Sequence, residues 1–172
     1  QLSSKCDKIW YMADGVYSMF GDYAPMAELM KITKKYSQLH LYFDDVHGMS
    51  WIGKNGTGFV FDSIKELPEN IVVVGTLSKT FGASGATLFC KNEKLRNKIK
   101  NFGGPLTFSA QLEPASVGAA IASANIHLSP EITIRQKELA EKIDYFNQLL
   151  SLDNLPIISK NDSPVFFLGM GT

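Results

Sequence analysis

Three short stretches concentrate the side chains able to do chemistry. Asp14 and Ser18 lie in "ADGVYSMFGD", Asp44, Asp45 and His47 in "DDVHG", and Thr76, Ser78 and Lys79 in "GTLSKTFG". Drawn to one place, this set of acid, imidazole, hydroxyls and amine suits an aldehyde cofactor held as a Schiff base. A lysine must lose its proton to attack a carbonyl, and burial or a nearby cation favours the neutral amine. A carboxylate below a cofactor's ring nitrogen keeps that nitrogen protonated, so the ring can accept carbanion electrons. Hydroxyl and backbone N–H groups around Thr76 and Ser78 suit a phosphate, which needs donors more than a second full charge.

Each residue has a plainer reading. Lys79 alone reads as a loop lysine in water, Asp44 and Asp45 as a solvated strand end or a helix cap, and His47 as a hydrogen-bonded structural histidine. Asp44, Asp45 and His47 could also ligate a metal, but no matching third cluster stands elsewhere in the chain. "GTLSKTFG" is not a phosphate-binding P-loop, because the glycine just before the lysine is missing, and "GKNGTG" (53–58) is weak evidence for a nucleotide. The combination raises the chemical reading above its members.

The elements that would position these residues follow from the pattern. Apolar runs alternate with helical segments, which predicts an α/β fold with a mainly parallel sheet. "IWYMA" (9–13) reads as a first strand ending at Asp14, "LHLYFDD" (39–45) as a second, "IVVVG" (71–75) as a third and "GATLFC" (85–90) as a fourth. The second and third are nearly continuous apolar runs, as expected of strands buried on both faces. Between the first two, "APMAELMKITKKYS" puts Met26, Leu29, Met30, Thr33 and Tyr36 on one helical face, with Pro25 in the first turn. In open α/β sheets ligands bind beyond the carboxyl ends of the strands, where all three stretches fall.

Farther along, "KNEKLRNKIKNF" (91–102) reads as a helix with a solvated basic face. "QLEPASVGAAIASANIH" (111–127) suits a closely packed helix. "SPEITIRQKELAEKIDYFNQLL" offers Ser129 as N-cap, Pro130 as the first helical residue and a stripe of Leu139, Ile143, Phe146 and Leu150. "LPIISKNDSPVFFLGM" reads as the start of a second, smaller sheet. The expected organisation is a large cofactor-binding domain over 1–128, then a linking helix and the beginning of a small α+β C-terminal domain over 129–172.

The 172 residues are 45% hydrophobic and 20% charged, with 17 Lys+Arg against 17 Asp+Glu. A chain this long buries roughly 70% of its unfolded surface. The zero formal net charge argues against nucleic acid as a partner. Two cysteines without metal-ligand spacing, Cys6 and Cys90, and no span-length apolar run lead to an expectation of a reducing, cytoplasmic setting without a membrane.

The segments "DGVYSMFGDYAP", "DDVHGMSWIGKNGTG", "GTLSKTFGASGATLFC" and "FSAQLEPASVGAA" together resemble the α-oxoamine synthases, a family of fold-type I pyridoxal-phosphate enzymes. They run in family order at family spacing over most of the chain. The resemblance implies pyridoxal 5'-phosphate as cofactor and a decarboxylative condensation of an amino acid with an acyl thioester. It implies that Lys79 forms the Schiff base, that Asp44 pairs with the ring nitrogen, and that His47, helped by Ser18, bonds the phenolic oxygen. Thr76, with Ser78 beside it, would contact the phosphate, and Ser109 would reach the phosphate in the partner subunit, making a homodimer with shared active sites.

Departures from the family pattern are Asp14 for a usual Glu, Thr57 for a frequent Arg, Ala110 for a common Thr, Glu113 for a usual Pro, and the bulky Met49, Ser50 and Trp51. The family's ring-stacking residue and glycine-rich phosphate loop would lie upstream, and its substrate-carboxylate arginine downstream. The chain therefore reads as a central fragment, expected to turn over poorly or not at all alone. A class I/II aminotransferase, or a catalytically incomplete fragment, is the alternative reading.

Overall fold

The computed structural model of the chain describes residues 4–152, 156 and 162–171. It is an α/β structure built on a four-stranded sheet of order β1-β2-β3-β4, with β1 at Ile9–Asp14, β2 at Leu39–Asp44, β3 at Ile71–Thr76 and β4 at Ala86–Cys90. The first three strands are parallel. Ile9 to Asp14 pair in step with Leu39 to Asp44, and Leu41 to Asp44 with Ile71 to Val74. β4 runs antiparallel to β3, from Val72 opposite Cys90 to Thr76 opposite Ala86. The connection 77–85 is too short for a parallel return, which takes a dozen residues or more, so the chain doubles back.

Helix α1 (Met26–Lys35) makes the first crossover and buries Met26, Leu29 and Thr33. That spacing of three and four places them on one helical face. Pro25 stands one residue before the helix rather than inside it, and its carbonyl accepts the Leu29 N–H at 3.0 Å. The second crossover is made of a 3-10 turn (Lys54–Gly56) and a five-residue helix, α2 (Phe59–Ser63). Leu41, Phe43, Val60, Ile71 and Val73 meet Ala24, Met26 and Leu29 in one buried cluster, so the apolar strand runs are the core.

Asn92 caps α3 (Glu93–Phe102) by accepting the Leu95 N–H at 2.8 Å, and α3 buries no residue. After α4 (Gly104–Phe108) and α5 (Pro114–His127), the long α6 (Glu131–Leu152) buries Ile132, Ile143 and Leu150. Ser129 Oγ accepts the Glu131 N–H at 3.2 Å, and Pro130 again lies just outside the helix. The second, smaller sheet expected over 155–170 falls partly outside the described residues, and of the described ones there only Leu168 makes a β-bridge. Phe166 packs edge-on against Phe146 of α6, with ring centroids 4.6 Å apart. At the outer strand, Trp10, Tyr11 and Met12 of β1 are exposed, as are Phe102, Leu106 and Phe108 around α4.

Leu41 is fully buried at the centre of this core. Leu41→Ala in the intact protein is expected to cost about 2–5 kcal/mol, read by denaturant unfolding, because the cavity cannot fully collapse between two strands and a helix.

Candidate active site

Parallel pairing brings the carboxyl ends of β1, β2 and β3 to one edge, and Asp14 and Asp44 are register partners there. Asp44 Oδ1 accepts the Val46 N–H at 3.0 Å. This local bond turns the chain just past the strand, as Asp side chains commonly do. The N–H groups of Gly48 and Met49 both donate to Asp45 O at 3.1 Å, closing a tight turn that returns His47 toward the strand ends. Trp51 fixes the turn from outside: its Nε1–H donates to His47 O at 2.5 Å.

Lys79 comes from the loop between β3 and β4. Leu77 and Gly85 pair through a 2.9 Å bond from Leu77 N–H to Gly85 O, and Ala83 N–H donates to Leu77 O at 2.7 Å. Thr76 Oγ1 accepts the Ser78 N–H at 3.1 Å and donates to Gly85 O at 3.3 Å. Ser78 Oγ accepts the Gly85 N–H at 3.2 Å. The hydroxyls expected to face a phosphate therefore also close the lysine loop. Thr80 Oγ1 donates to Met49 O at 3.1 Å, a direct tie between the lysine loop and the histidine turn.

The result is one close contact: Lys79 Nζ lies 3.0 Å from His47 Nε2. An ammonium at Lys79 can only donate, in which case Nε2 is the bare, accepting nitrogen of a neutral ring; an uncharged amine could donate or accept. The His47 pKa is lowered from 6.5, first by burial and then by the Lys79 charge, with Asp14 and Asp44 pulling the other way. The ring therefore stays neutral, and able to accept from Lys79, into mildly acidic solution.

Of the other expected residues, Ser18 lies exposed in the turn after β1, and Ser109 is exposed at the C-terminal end of α4. Lys79, His47, Asp44, Thr76 and Ser78 are brought to one edge; Ser109 takes no part in the Lys79–His47 contact. Among the described residues, no group of three or more His, Cys, Asp or Glu is placed to hold a metal. An apolar cavity of about 570 Å³ lined by Met49, Val73, Phe81, Phe89 and Leu128 lies nearby, but Lys79, His47 and Asp44 do not line it.

Asp45 separates sharply from Asp44. Its side chain is 1% exposed, and Oδ2 accepts the Val60 N–H at 2.8 Å, at the start of α2. A Cβ at Gly15 or Gly48 would overlap Oδ1, and one at Gly58 would overlap Oδ2, so three glycines make room for this carboxyl. Oδ1 has no hydrogen-bond partner. Burial pushes the Asp45 pKa up to about 7, against the opposing pull of the Val60 N–H. The carboxyl joins the turn carrying His47 to α2. Sequence reasoning grouped it with Asp44 as a strand-end acid, and the glycines at 15, 48 and 58 were the signal that one acid is enclosed.

The family model for aminotransferase class I and II matches residues 3–171, and the chain belongs to that family. Among curated relatives, it is 31% identical over 150 residues to 8-amino-7-oxononanoate synthase of Marinomonas sp. (strain MWYL1), covering 87% of this chain and 37% of that protein. It is 36% identical over 149 residues to the enzyme of the same name from Arabidopsis thaliana, covering 86% of this chain and 30% of that protein. The chain thus spans about a third of the length of these relatives. Among solved structures, serine palmitoyltransferase of S. paucimobilis with a bound PLP–myriocin aldimine superposes with a TM-score of 0.84 at 23% identity, over 99% of this chain and 44% of that one. Serine palmitoyltransferase of Sphingomonas wittichii gives 0.77 at 26% identity, over 89% and 37%. The expected fold, that of the fold-type I pyridoxal-phosphate transferases with a mixed, mainly parallel sheet and flanking helices, is borne out.

The Asp45 shift has a definite sign. Its pKa is raised on folding, so its contribution to stability is full below about pH 4 and is lost as pH rises through about 7. Asp45→Asn keeps an acceptor for Val60 N–H without the charge. In thermal unfolding of the intact protein between pH 4 and 8, the variant's midpoint is expected to decline less with rising pH than the parent's.

Proposed function

We propose that this chain carries the cofactor-holding core of a pyridoxal 5'-phosphate-dependent acyltransferase of the α-oxoamine synthase type. The reaction joins an amino acid to the acyl group of a coenzyme A or carrier-protein thioester, releasing carbon dioxide and the free thiol. One observation carries the reading: the amine of Lys79 rests 3.0 Å from His47 Nε2 at the sheet edge where Asp44 ends β2. Support comes also from the curated relatives named 8-amino-7-oxononanoate synthase and the solved serine palmitoyltransferases.

The donor set fits the cofactor. Lys79 supplies the amine for its aldehyde, and Asp44 an acceptor for its protonated ring nitrogen. His47 and Ser18 offer polar groups for its phenolic oxygen, and Thr76 and Ser78 offer hydroxyls for its phosphate. When bound, pyridoxal phosphate supplies a carbonyl that captures amines and a ring that takes up the electron pair released at the substrate α-carbon. The chain's own residues handle protons. Neutral His47 would accept a hydrogen bond from Lys79 Nζ, which holds the amine in place without adding a second positive charge beside it. The Lys79 amine would be the base that removes the substrate α-proton and the acid that returns it. The hydrogen-bonded turn 45–51 holds His47 beside Lys79.

The organisation belongs to the same proposal. Residues 1–128 form part of the large domain, and 129–172 the linking helix and the beginning of the small domain. Ser109, exposed at the end of α4, would serve the site of a second subunit in a homodimer. The enzyme is placed in the cytoplasm, and the chain alone is expected to be inactive.

The test is a visible spectrum of the intact protein with added pyridoxal phosphate, then borohydride reduction and peptide mapping. Label on Lys79, together with thiol release from an acyl thioester that depends on an amino acid, is the expected result. Absence of label, or amine exchange with a keto acid and no thioester consumed, would overturn it. Lys79→Ala is expected to abolish the label and lower kcat by about 10²–10⁴. Because burial and Lys79 depress the His47 pKa, the acid limb assigned to His47 in the pH–rate profile is expected below 6.5.

A further inference from the structure

We propose that His127, the last residue of α5, is a positioning residue for the Lys79–His47 pair, clamping together the two loops that carry them. The inference deepens the proposed function and rests on it for the catalytic readout alone. His127 is 8% exposed. Its Nδ1 lies 2.8 Å from Ser123 O, one turn earlier in α5, and 3.5 Å from Ser123 Oγ. A carbonyl oxygen only accepts, so Nδ1 carries the proton. In the neutral ring Nε2 is then an acceptor, and it lies 2.9 Å from Ser50 Oγ, whose O–H can donate.

Both ring contacts beyond α5 go to the loops of the site. Ser50 stands three residues past His47 and has a φ of 74°, a left-handed conformation that a non-glycine residue holds only when its surroundings enforce it. The bond from its hydroxyl to His127 is one such constraint, and Gln136 of α6 supplies another by donating from Nε2 to Ser50 O at 3.1 Å and to Gly53 O at 3.0 Å. On the other side, the His127 ring packs on Phe81, two residues past Lys79, with centroids 4.7 Å apart and planes 30° apart. Space for the imidazole is reserved: a Cβ at Gly56 would press on Ser50 and on His127 Cδ2.

Any buried histidine needs partners for its ring nitrogens; what sets His127 apart is that one nitrogen and the ring face reach the two loops of the site. His127 uses one nitrogen to fix its own orientation on α5, the other to hold the histidine turn, and its face to hold the lysine loop. The separation of Lys79 and His47 then depends on a ring that touches neither. Shifts of about 1 Å in such a pair cost up to about a hundredfold in rate, even when the altered residue is remote from the reacting atoms.

Three variants of the intact protein separate the contacts. His127→Gln keeps an acceptor for Ser50 but not the aromatic face, His127→Phe keeps the face but not the acceptor, and His127→Ala keeps neither. The first readout is the pH dependence of His47 modification by diethyl pyrocarbonate in cofactor-free protein, followed by peptide mapping. The second is kcat against KM with amino acid and acyl thioester. Burial, Lys79, Asp14 and Asp44 set the His47 titration. If the clamp fails, burial and the Lys79 contact both relax, and the His47 midpoint should rise toward 6.5 in His127→Ala, the ordinary value.

The same variant should lose about ten- to a hundredfold in kcat with KM changed less than about threefold. His127→Gln and His127→Phe should fall between it and the parent in both readouts. An unchanged His47 midpoint in all folded variants overturns the proposal, whatever their melting temperatures, and so does a His127→Gln no nearer the parent than His127→Ala. Should His127→Ala not fold, the comparison of the other two with the parent decides by the same midpoint. The modification readout needs no cofactor. A failure of the pyridoxal-phosphate reading would appear as missing label and turnover in the parent, with the midpoint shift intact.

Discussion

The parallel register of β1, β2 and β3 is the constraint from which the site follows. Parallel strands deliver their carboxyl ends to a common edge, and Asp14 opposite Asp44 shows how closely those ends are aligned. Were β2 to slip by one residue, every inward side chain would turn outward, and Leu41 and Phe43 would leave the core together. The apolar burial of those residues therefore holds the register, and the register holds the acids. An arrangement that spans loops far apart in sequence is set by the hydrophobic packing beneath it.

Two adjacent carboxylates illustrate how strongly position within a turn decides chemistry. Asp44 is half-buried at the edge and turns its own chain, while Asp45 is enclosed by Gly15, Gly48 and Gly58 and bonded to the N-terminus of α2. Burying a carboxyl with one oxygen unpartnered is costly unless it is neutral, which is the form that a pKa of about 7 favours up to neutrality. The acid at the edge shapes the turn that carries His47, and the enclosed one connects that edge to the next helix.

Much of this was legible in the chain. The continuous apolar runs gave β2 and β3, and the spacing of Met26, Leu29 and Thr33 gave the face of α1, though Met30 and Tyr36, expected on it, are only half-buried. The strand-end position of Lys79, His47 and Asp44 gave a common edge but not the 3.0 Å contact between Lys79 and His47. The five-residue helices α2 and α4 are too short to display a helical period, and they were not foreseen. Pro25 and Pro130 were each placed one residue too deep, because proline is compatible with both the first helical position and the one before it. The direction of β4 was available from the length of the 77–85 loop, had that length been weighed. His127 gave no signal at all: one histidine at the end of an Ala-rich helix carries no spacing that names a partner 77 residues away.

The outer strand of the described sheet, β1, leaves Trp10, Tyr11 and Met12 exposed, with no proline within Ile9–Asp14 and a single acid, Asp14, at its end. A bare apolar edge is a template for another strand. For the isolated chain in solution, a meeting between molecules at that edge competes with unfolding within one. Its shelf life should depend on concentration as well as temperature, and a neutral net charge offers little repulsion to slow that encounter.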